Sequence, residues 1–330
     1  MGHRVKVHPT GQSFEVQPKE TLLDAGLRAG LNLPYNCGTG TCGGCRIRVI
    51  SGSVREAPYD FRFSDAERAA GWVLPCRAET CSDLDIEARL YETAADVPTQ
   101  RVLAKVSYVE TLQPAVVQFS VRTPRTQTLQ FLAGQRVAVR FNGVPARELS
   151  LASCPCDGLR LRFHVRRDDA DPFSAFVFER LQRGERVELA GPMGRFLLHD
   201  ESPRKRLFVA WEGGYAPVSS LIEHAIALDA DRTMHLYWLS AIPGGHYLSN
   251  HCRAWVDGLD DFHYHSIDLA PWGQPTLEAA LEDVLRDRPD LIDYDVYAAL
   301  PEATLEPARQ RFMAQGLPPS QWRGEAILRP

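Results

Sequence analysis

The sequence predicts a multidomain chain of mixed α+β and α/β class: a β-grasp unit, then a small antiparallel β-barrel, then a doubly wound parallel α/β unit. Three observations carry this. A glycine-rich cysteine loop at 37–45 sits among short alternating strands with one amphipathic helix, the middle third is strand-rich, and the last third alternates strands with helices. At 330 residues the chain is long enough for two or three separate cores.

Residues 4–8 and 13–17 alternate apolar and polar side chains around Gly11, as a hairpin does. Thr21 can cap a helix over 22–30 whose apolar positions share one face. A strand at 46–50, a short capped helix over 64–71 and a strand at 84–88 complete the first unit, set at 1–92. Residues 93–100 lack bulky apolar periodicity and contain Pro98, so they read as a linker. In 101–200 the strands fall at 104–109, 115–121, 136–140, 159–166 and 186–189, with one helix over 173–182; an antiparallel barrel is the economical architecture. In 201–330, strands at 206–210, 234–239 and 294–298 alternate with helices over 218–227, 276–286 and 306–315. That rhythm predicts a parallel sheet whose crevice lies at the carboxyl ends of its strands.

The chemistry is concentrated in four cysteines. Cys37, Cys42, Cys45 and Cys76 stand at C-x4-C-x2-C followed by a distant fourth cysteine, the thiolate set of a plant-type [2Fe–2S] cluster. Glycines 38, 40, 43 and 44 leave room for the loop to wrap the cluster and for backbone N–H groups to reach its sulfurs. A zinc site would favour two C-x2-4-C knuckles, and a pair of disulfides would leave the glycine-rich loop without a purpose. Cys81, Cys154, Cys156 and Cys252 read as free thiols in a reducing compartment. Cys154-Pro155-Cys156 could also form a redox pair or bind a metal, but no companion His or Cys cluster stands beside it in the sequence.

Bulk properties narrow the classes. A net charge of −5 argues against a nucleic-acid binder, and no apolar run is long enough to span a bilayer. The opening residues read as a strand rather than a signal peptide, so the expectation is a cytoplasmic protein.

The stretches Leu33-Pro34-Tyr35-Asn36-Cys37 through Cys45, Leu74-Pro75-Cys76-Arg77-Ala78, Gly134-Gln135, Arg147-Glu148-Leu149-Ser150 and Gly191-Pro192-Met193-Gly194-Arg195-Phe196 occur in the order and spacing of one known family. The chain resembles the ferredoxin-NADP reductase superfamily, in the branch with an N-terminal plant-type ferredoxin domain. The resemblance is to the reductase components of bacterial oxygenases and to CDP-6-deoxy-glucoseen reductase. It implies an NAD(P)H-dependent oxidoreductase with a flavin-type barrel and a nucleotide-type α/β unit. Electrons would pass from NAD(P)H through FAD and [2Fe–2S] to a protein acceptor such as an oxygenase, hydroxylase or dehydrase component. Cys37, Cys42, Cys45 and Cys76 would ligate the cluster. Arg147, Ser150 and Ser174 would contact flavin, and Gly213, Gly214 and Pro217 would line the nucleotide crevice.

Several family positions are altered. Leu149 replaces the flavin-stacking tyrosine of Arg-x-Tyr-Ser. Asp171-Pro172 stands where a glycine-rich turn donates N–H groups to the flavin pyrophosphate. Trp211-Glu212 replaces two small residues of the dinucleotide turn, and Ala299-Leu300 stands in place of a Cys-Gly pair. Glu325 matches an acidic position near the family's active centre. These changes predict weakened flavin binding and oppose ordinary NAD(P)H binding. The alternative they support is a non-enzymatic ferredoxin-bearing adaptor whose reductase half has lost flavin, NAD(P)H or both.

Overall fold

The computed structural model describes residues 2–327 apart from 36, 92, 125–126, 157, 201, 229–231, 243–244 and 270–275. Asn36 of the cysteine-loop motif therefore lies outside the described residues.

The N-terminal unit holds β1 (His3–His8), β2 (Ser13–Val16), α1 (Leu22–Arg28), β3 (Ile47–Ser51), β4 (Val54–Glu56), α2 (Asp65–Ala69), β5 (Trp72–Val73), β6 (Ala78–Thr80) and β7 (Leu84–Glu87). Its sheet runs β2-β1-β7-β3-β5, with β1 and β7 parallel at the centre and β4-β6 as a separate ribbon. The Thr21 hydroxyl accepts the Asp24 N–H at 3.1 Å, which starts α1. The helix then buries Leu22, Leu23 and Ala25 in the core that holds Val5, Val7 and Ile86. One helix across a sheet with a central parallel pair is the β-grasp arrangement.

The second unit holds β8 (Gln100–Gln113), β9 (Val116–Arg122), β10 (Arg136–Phe141), β11 (Arg147–Ser150), β12 (Arg160–Arg166), α3 (Pro172–Glu179) and β13 (Arg186–Met193). The sheet is antiparallel throughout, in the order β11-β10-β13-β8-β9-β12. Its two ends meet where Ala152 N–H donates to the Arg162 carbonyl at 2.9 Å, curling the sheet into a barrel around Phe119, Phe141 and Phe163.

The third unit holds β14 (Lys205–Trp211), α4 (Tyr215–Ala227), β15 (Met234–Ser240), α5 (Ser249–Gly258), β16 (Phe262–Asp268), α6 (Leu277–Asp287), β17 (Tyr294–Pro301), α7 (Glu302–Ala314) and β18 (Trp322–Ile327). The strands are parallel, ordered β16-β15-β14-β17-β18. Alternate residues of β14 feed opposite cores. Leu207 and Val209 pack with Leu281 and Phe312 on one face, while Phe208 and Ala210 pack with Val218 and Leu221 on the other. Helices cover both faces, as a doubly wound sheet requires.

The structure departs from the sequence expectations in four places. Residues 93–100 are an ordered turn: Asp96 accepts the Thr93 N–H at 2.9 Å, Val97 is buried, and Gln100 already begins β8. Cys154 and Cys156, expected as free thiols, form a disulfide, because Pro155 bends the chain until their Cα atoms are 5.3 Å apart. Seven elements, β4, β5, β6, β11, α5, β16 and β18, lie in residues where no element was expected. Finally, α7 starts at Glu302 rather than at 306, so Pro307 lies inside it.

Candidate functional site

The cysteine loop is held open by its glycines. Gly40 (φ +84°) and Gly43 (φ +67°) take left-handed backbone, and a Cβ on either would collide with Tyr59 or Phe61. Cys37, Cys45 and Cys76 are buried and Cys42 is exposed. Thr39 N–H reaches Cys37 Sγ at 3.4 Å, and Gly44 N–H reaches Cys42 Sγ at 3.3 Å. The sulfurs fall into two pairs: Cys45 and Cys76 lie 3.3 Å apart, and Cys37 and Cys42 interact with each other. Two irons sharing four thiolates ask for this division. A single ion does not, and among the described residues no three His, Cys, Asp or Glu side chains converge as a one-metal site would need. Burial alone would raise the Cys37 thiol, but hydrogen bonds from Thr39 and Thr41 outweigh it and bring it down to about 5. The donor set and its N–H partners fit a [2Fe–2S] cluster.

A cavity of about 760 Å³ opens between the barrel and the parallel sheet. The barrel contributes Arg147, Leu149 and Ser150 from β11 and His164 and Arg166 from β12. The sheet side contributes Trp211 at the end of β14, Glu212, Gly213 and Gly214 from the turn that follows, Pro217 from α4, Pro301 at the end of β17, Glu302 at the start of α7, and Glu325 from β18. The sheet-side walls after β14 and β17 lie at the carboxyl ends of those strands, where open α/β sheets place ligands. Five of the six expected contacts therefore meet in one place: Arg147, Ser150, Gly213, Gly214 and Pro217. Ser174 does not line it. Its hydroxyl accepts Asp168 N–H at 2.8 Å and donates to the Arg166 carbonyl at 3.4 Å.

Three arginines reach this cavity or its rim, and each is matched by a carboxylate of the chain itself. Arg147 pairs with Asp171. The same Asp171 carboxylate caps α3, accepting Phe173 N–H at 3.1 Å and Ser174 N–H at 3.2 Å. Arg166 pairs with Glu212. Arg136 donates to Glu148 at 2.7 Å and to Glu325 at 2.6 Å. Glu325 is driven above the ordinary carboxylate range by burial, with Arg136 opposing the rise. Glu212 stands at φ +45°, a backbone state costly for a side-chain-bearing residue. It is held there by Arg166, by Ala241 N–H to its carboxylate at 3.3 Å, and by Trp238 Nε1–H to its carbonyl at 3.1 Å. The turn keeps a conformation suited to glycine, now bearing an anion.

Leu149 belongs to the barrel core and presents only an edge to the cavity. Gly214 is packed so closely that a Cβ would come within 2.6 Å of the Ala299 carbonyl oxygen. His164 is buried at the cavity wall. Its Nε2–H donates to Gln118 Oε1 and its Nδ1 accepts the Tyr247 hydroxyl, both at 3.2 Å. Burial, with help from Arg162, depresses it to about 3, so it is neutral near pH 7. Arg136, His164 and Arg166 were not singled out in the sequence. A signal was there for two of them: in β12, Arg162, His164 and Arg166 alternate with Leu161, Phe163 and Val165, a polar face on a strand whose other face fills the core.

One carboxylate, that of Asp171, thus engages both Arg147 and the α3 N-terminus in this arrangement.

Residues 5–81 match the 2Fe-2S iron-sulfur cluster binding domain, and residues 103–197 match the oxidoreductase FAD-binding domain. The chain is 30% identical to the CDP-6-deoxy-L-threo-D-glycero-4-hexulose-3-dehydrase reductase of Yersinia pestis, over 99% of both chains. It is 27% identical to the reductase component of propane 2-monooxygenase from a Gordonia species, over 93% of this chain and 91% of that one. The solved structure of the Amycolatopsis cytochrome P450 reductase GcoB superposes with a TM-score of 0.63 at 26% identity, over 98% of each chain. With both domains in this order and a relative at 30% identity along its full length, the chain belongs to the ferredoxin-NADP reductase superfamily, in the branch that carries an N-terminal plant-type [2Fe–2S] domain.

Proposed function

We propose that this chain is the reductase component of a cytoplasmic redox system, taking electrons from NAD(P)H and passing them singly to a protein acceptor through FAD and a [2Fe–2S] cluster on Cys37, Cys42, Cys45 and Cys76. The observation that carries the reading is the junctional cavity, which brings Arg147 and Ser150 of the barrel against Gly213, Gly214 and Pro217 of the sheet. Flavin, when bound, supplies the exchange between a two-electron donor and a one-electron cluster. The chain's own residues do the positioning. Gly213 and Gly214 keep the turn thin, Ser150 offers a hydroxyl at the rim, and neutral His164 closes the floor without bringing in charge. The acceptor is a protein of the oxygenase, hydroxylase or dehydrase kind, the partner classes that the relatives' names describe. Among the described residues no helix is long and apolar enough to cross a membrane.

A specific observation favours a second reading, the electron-transfer adaptor: Arg147 and Arg166, the cations that would meet phosphate, are already paired with Asp171 and Glu212. One titration separates the two. NADH and NADPH are added anaerobically to protein reconstituted with FAD while cluster absorbance is followed. The reductase reading expects bleaching that requires added FAD and saturates only at nucleotide concentrations well above micromolar. A cluster that dithionite reduces and neither nucleotide does establishes the adaptor instead.

A further inference from the structure

The loop that leaves β11 carries a site that neither cluster nor cavity uses. Cys154 and Cys156 are disulfide-bonded, Cys154 buried and Cys156 exposed. Behind the buried sulfur, His224 Nδ1 of α4 lies 4.0 Å from Cys154 Sγ, and its Nε2 lies 3.4 Å from Asp200 Oδ2. The neighbouring Glu223 carboxylate accepts the Cys154 N–H at 3.1 Å and pairs with Arg162, which fixes the loop against the helix. A sulfur, an imidazole within reach of it and a carboxylate orienting that imidazole make the nucleophile–base–orienter order of an activated thiol.

We propose that Cys154–Cys156 is a thiol–disulfide exchange site that takes an electron pair from a dithiol, with His224 as its proton relay and Asp200 as the residue that positions the relay. The incoming thiolate attacks the accessible Cys156 Sγ. The S–S bond breaks, the bonding pair leaves on Cys154 Sγ, and that sulfur takes its proton through His224. The second thiol of the reductant then attacks the mixed disulfide, freeing Cys156. The dithiol ends as a disulfide and Cys154 and Cys156 end as two thiols, with two electrons and two protons transferred. The loop is also bound to the cysteine-loop segment, since Gly158 N–H donates to the Tyr35 hydroxyl at 3.2 Å, two residues before Cys37. Opening the Cys154–Cys156 ring therefore acts on a contact between the barrel and the N-terminal unit. This site does not depend on whether flavin or NAD(P)H binds.

The test uses the full-length, cluster-loaded protein in buffers of oxidised and reduced dithiothreitol from pH 6 to 8.5, followed by acid quench, thiol alkylation and peptide mass spectrometry. Cys154 and Cys156 should gain and lose alkylation together as one two-electron unit, while Cys81 and Cys252 stay alkylated. The reduction rate should fall at least tenfold in His224→Gln, with a flattened pH profile, and by a smaller factor in Asp200→Asn. Asp200 faces His224 directly, Arg232 holds the Asp200 carbonyl, and Glu223, next in sequence to His224, interacts with Arg162 and His251, so the profile is compared in the same salt for every variant. Retained cluster absorbance shows that each variant is folded; if His224→Gln loses it, Asp200→Asn carries the test. Cys154 and Cys156 remaining alkylated in fully oxidised buffer overturns the proposal, as does a wild-type rate and pH profile in the folded variant.

Discussion

Asp171 holds Arg147 with the same carboxylate that caps α3 through the Phe173 and Ser174 N–H groups. One side chain thus satisfies a cation and two helix N-terminal donors, the set of groups that would otherwise receive a ligand diphosphate.

Replacing Asp171 by Gly should therefore separate stability from affinity. Replacing the cap by glycine should cost the flavin-free protein only about a few tenths of a kcal/mol in chemical denaturation. FAD should bind one to two powers of ten more tightly, since a charge-assisted contact is worth about 1.5–3 kcal/mol. Riboflavin, which has no phosphate, serves as the control in the same fluorescence titration and should not change. FAD affinity equal to wild type would show that the carboxylate does not compete.

Cluster assembly should depend on four cysteines alone. Cys42→Ser should abolish most of the visible absorbance and acid-labile sulfide after reconstitution, although Cys42 is the exposed member of the set. Cys81→Ser and Cys154→Ser should keep both. The reverse pattern would reassign the ligands.

Acid should destabilise the protein earlier than its carboxylates would dictate. His164 and His235 are each lowered to about 3, His164 by burial and then Arg162, His235 by burial and then Arg288. The unfolded chain takes up these protons near pH 6.5 and the folded chain refuses them. Their contribution is fully present above that pH and is lost as pH falls toward 3. Each histidine should remove about 1.4 kcal/mol per pH unit below 6.5. His164→Gln should remove one proton from the slope measured between pH 6.3 and 5.3 by urea denaturation, and an unchanged slope would mean that His164 accepts a proton in the folded state.

Glu325→Gln should weaken the tie between β18 and the barrel. It removes the anion 2.6 Å from Arg136 Nη1 in a mostly buried setting, at a cost of about 1–2 kcal/mol. Amide exchange should accelerate in β18 and leave β1 and β7 unaffected. Equal acceleration everywhere would indicate a global effect rather than a released clamp.

Much of this was legible in the sequence where a local rule has no competitor. The Thr21 and Ser64 caps and the β14 apolar run each specify their element from nearby residues, and the structure realises them. What escaped depends on partners distant in sequence. β16 carries His263 and His265 at a sheet edge, where one polar face is tolerated, so its alternation is weak. α5 buries only Cys252 among its described positions, too little for an apolar stripe. The altered motifs were visible as substitutions, but their meaning was not. That Asp171 meets Arg147, or that Glu212 meets Arg166, requires the fold to bring together residues 24 and 46 positions apart, the second pair across two sheets.

The tie between Arg136 and Glu325 spans 189 positions of chain, and β18 is made after every other strand among the described residues. During synthesis the N-terminal unit, the barrel and the first four strands of the parallel sheet can emerge and pack while this edge of the cavity is still inside the ribosome. Until then Arg136 has only Glu148, and the wall formed by Glu325, Ala326 and Ile327 does not exist. Cluster insertion can precede that moment, whereas a finished ligand cavity cannot.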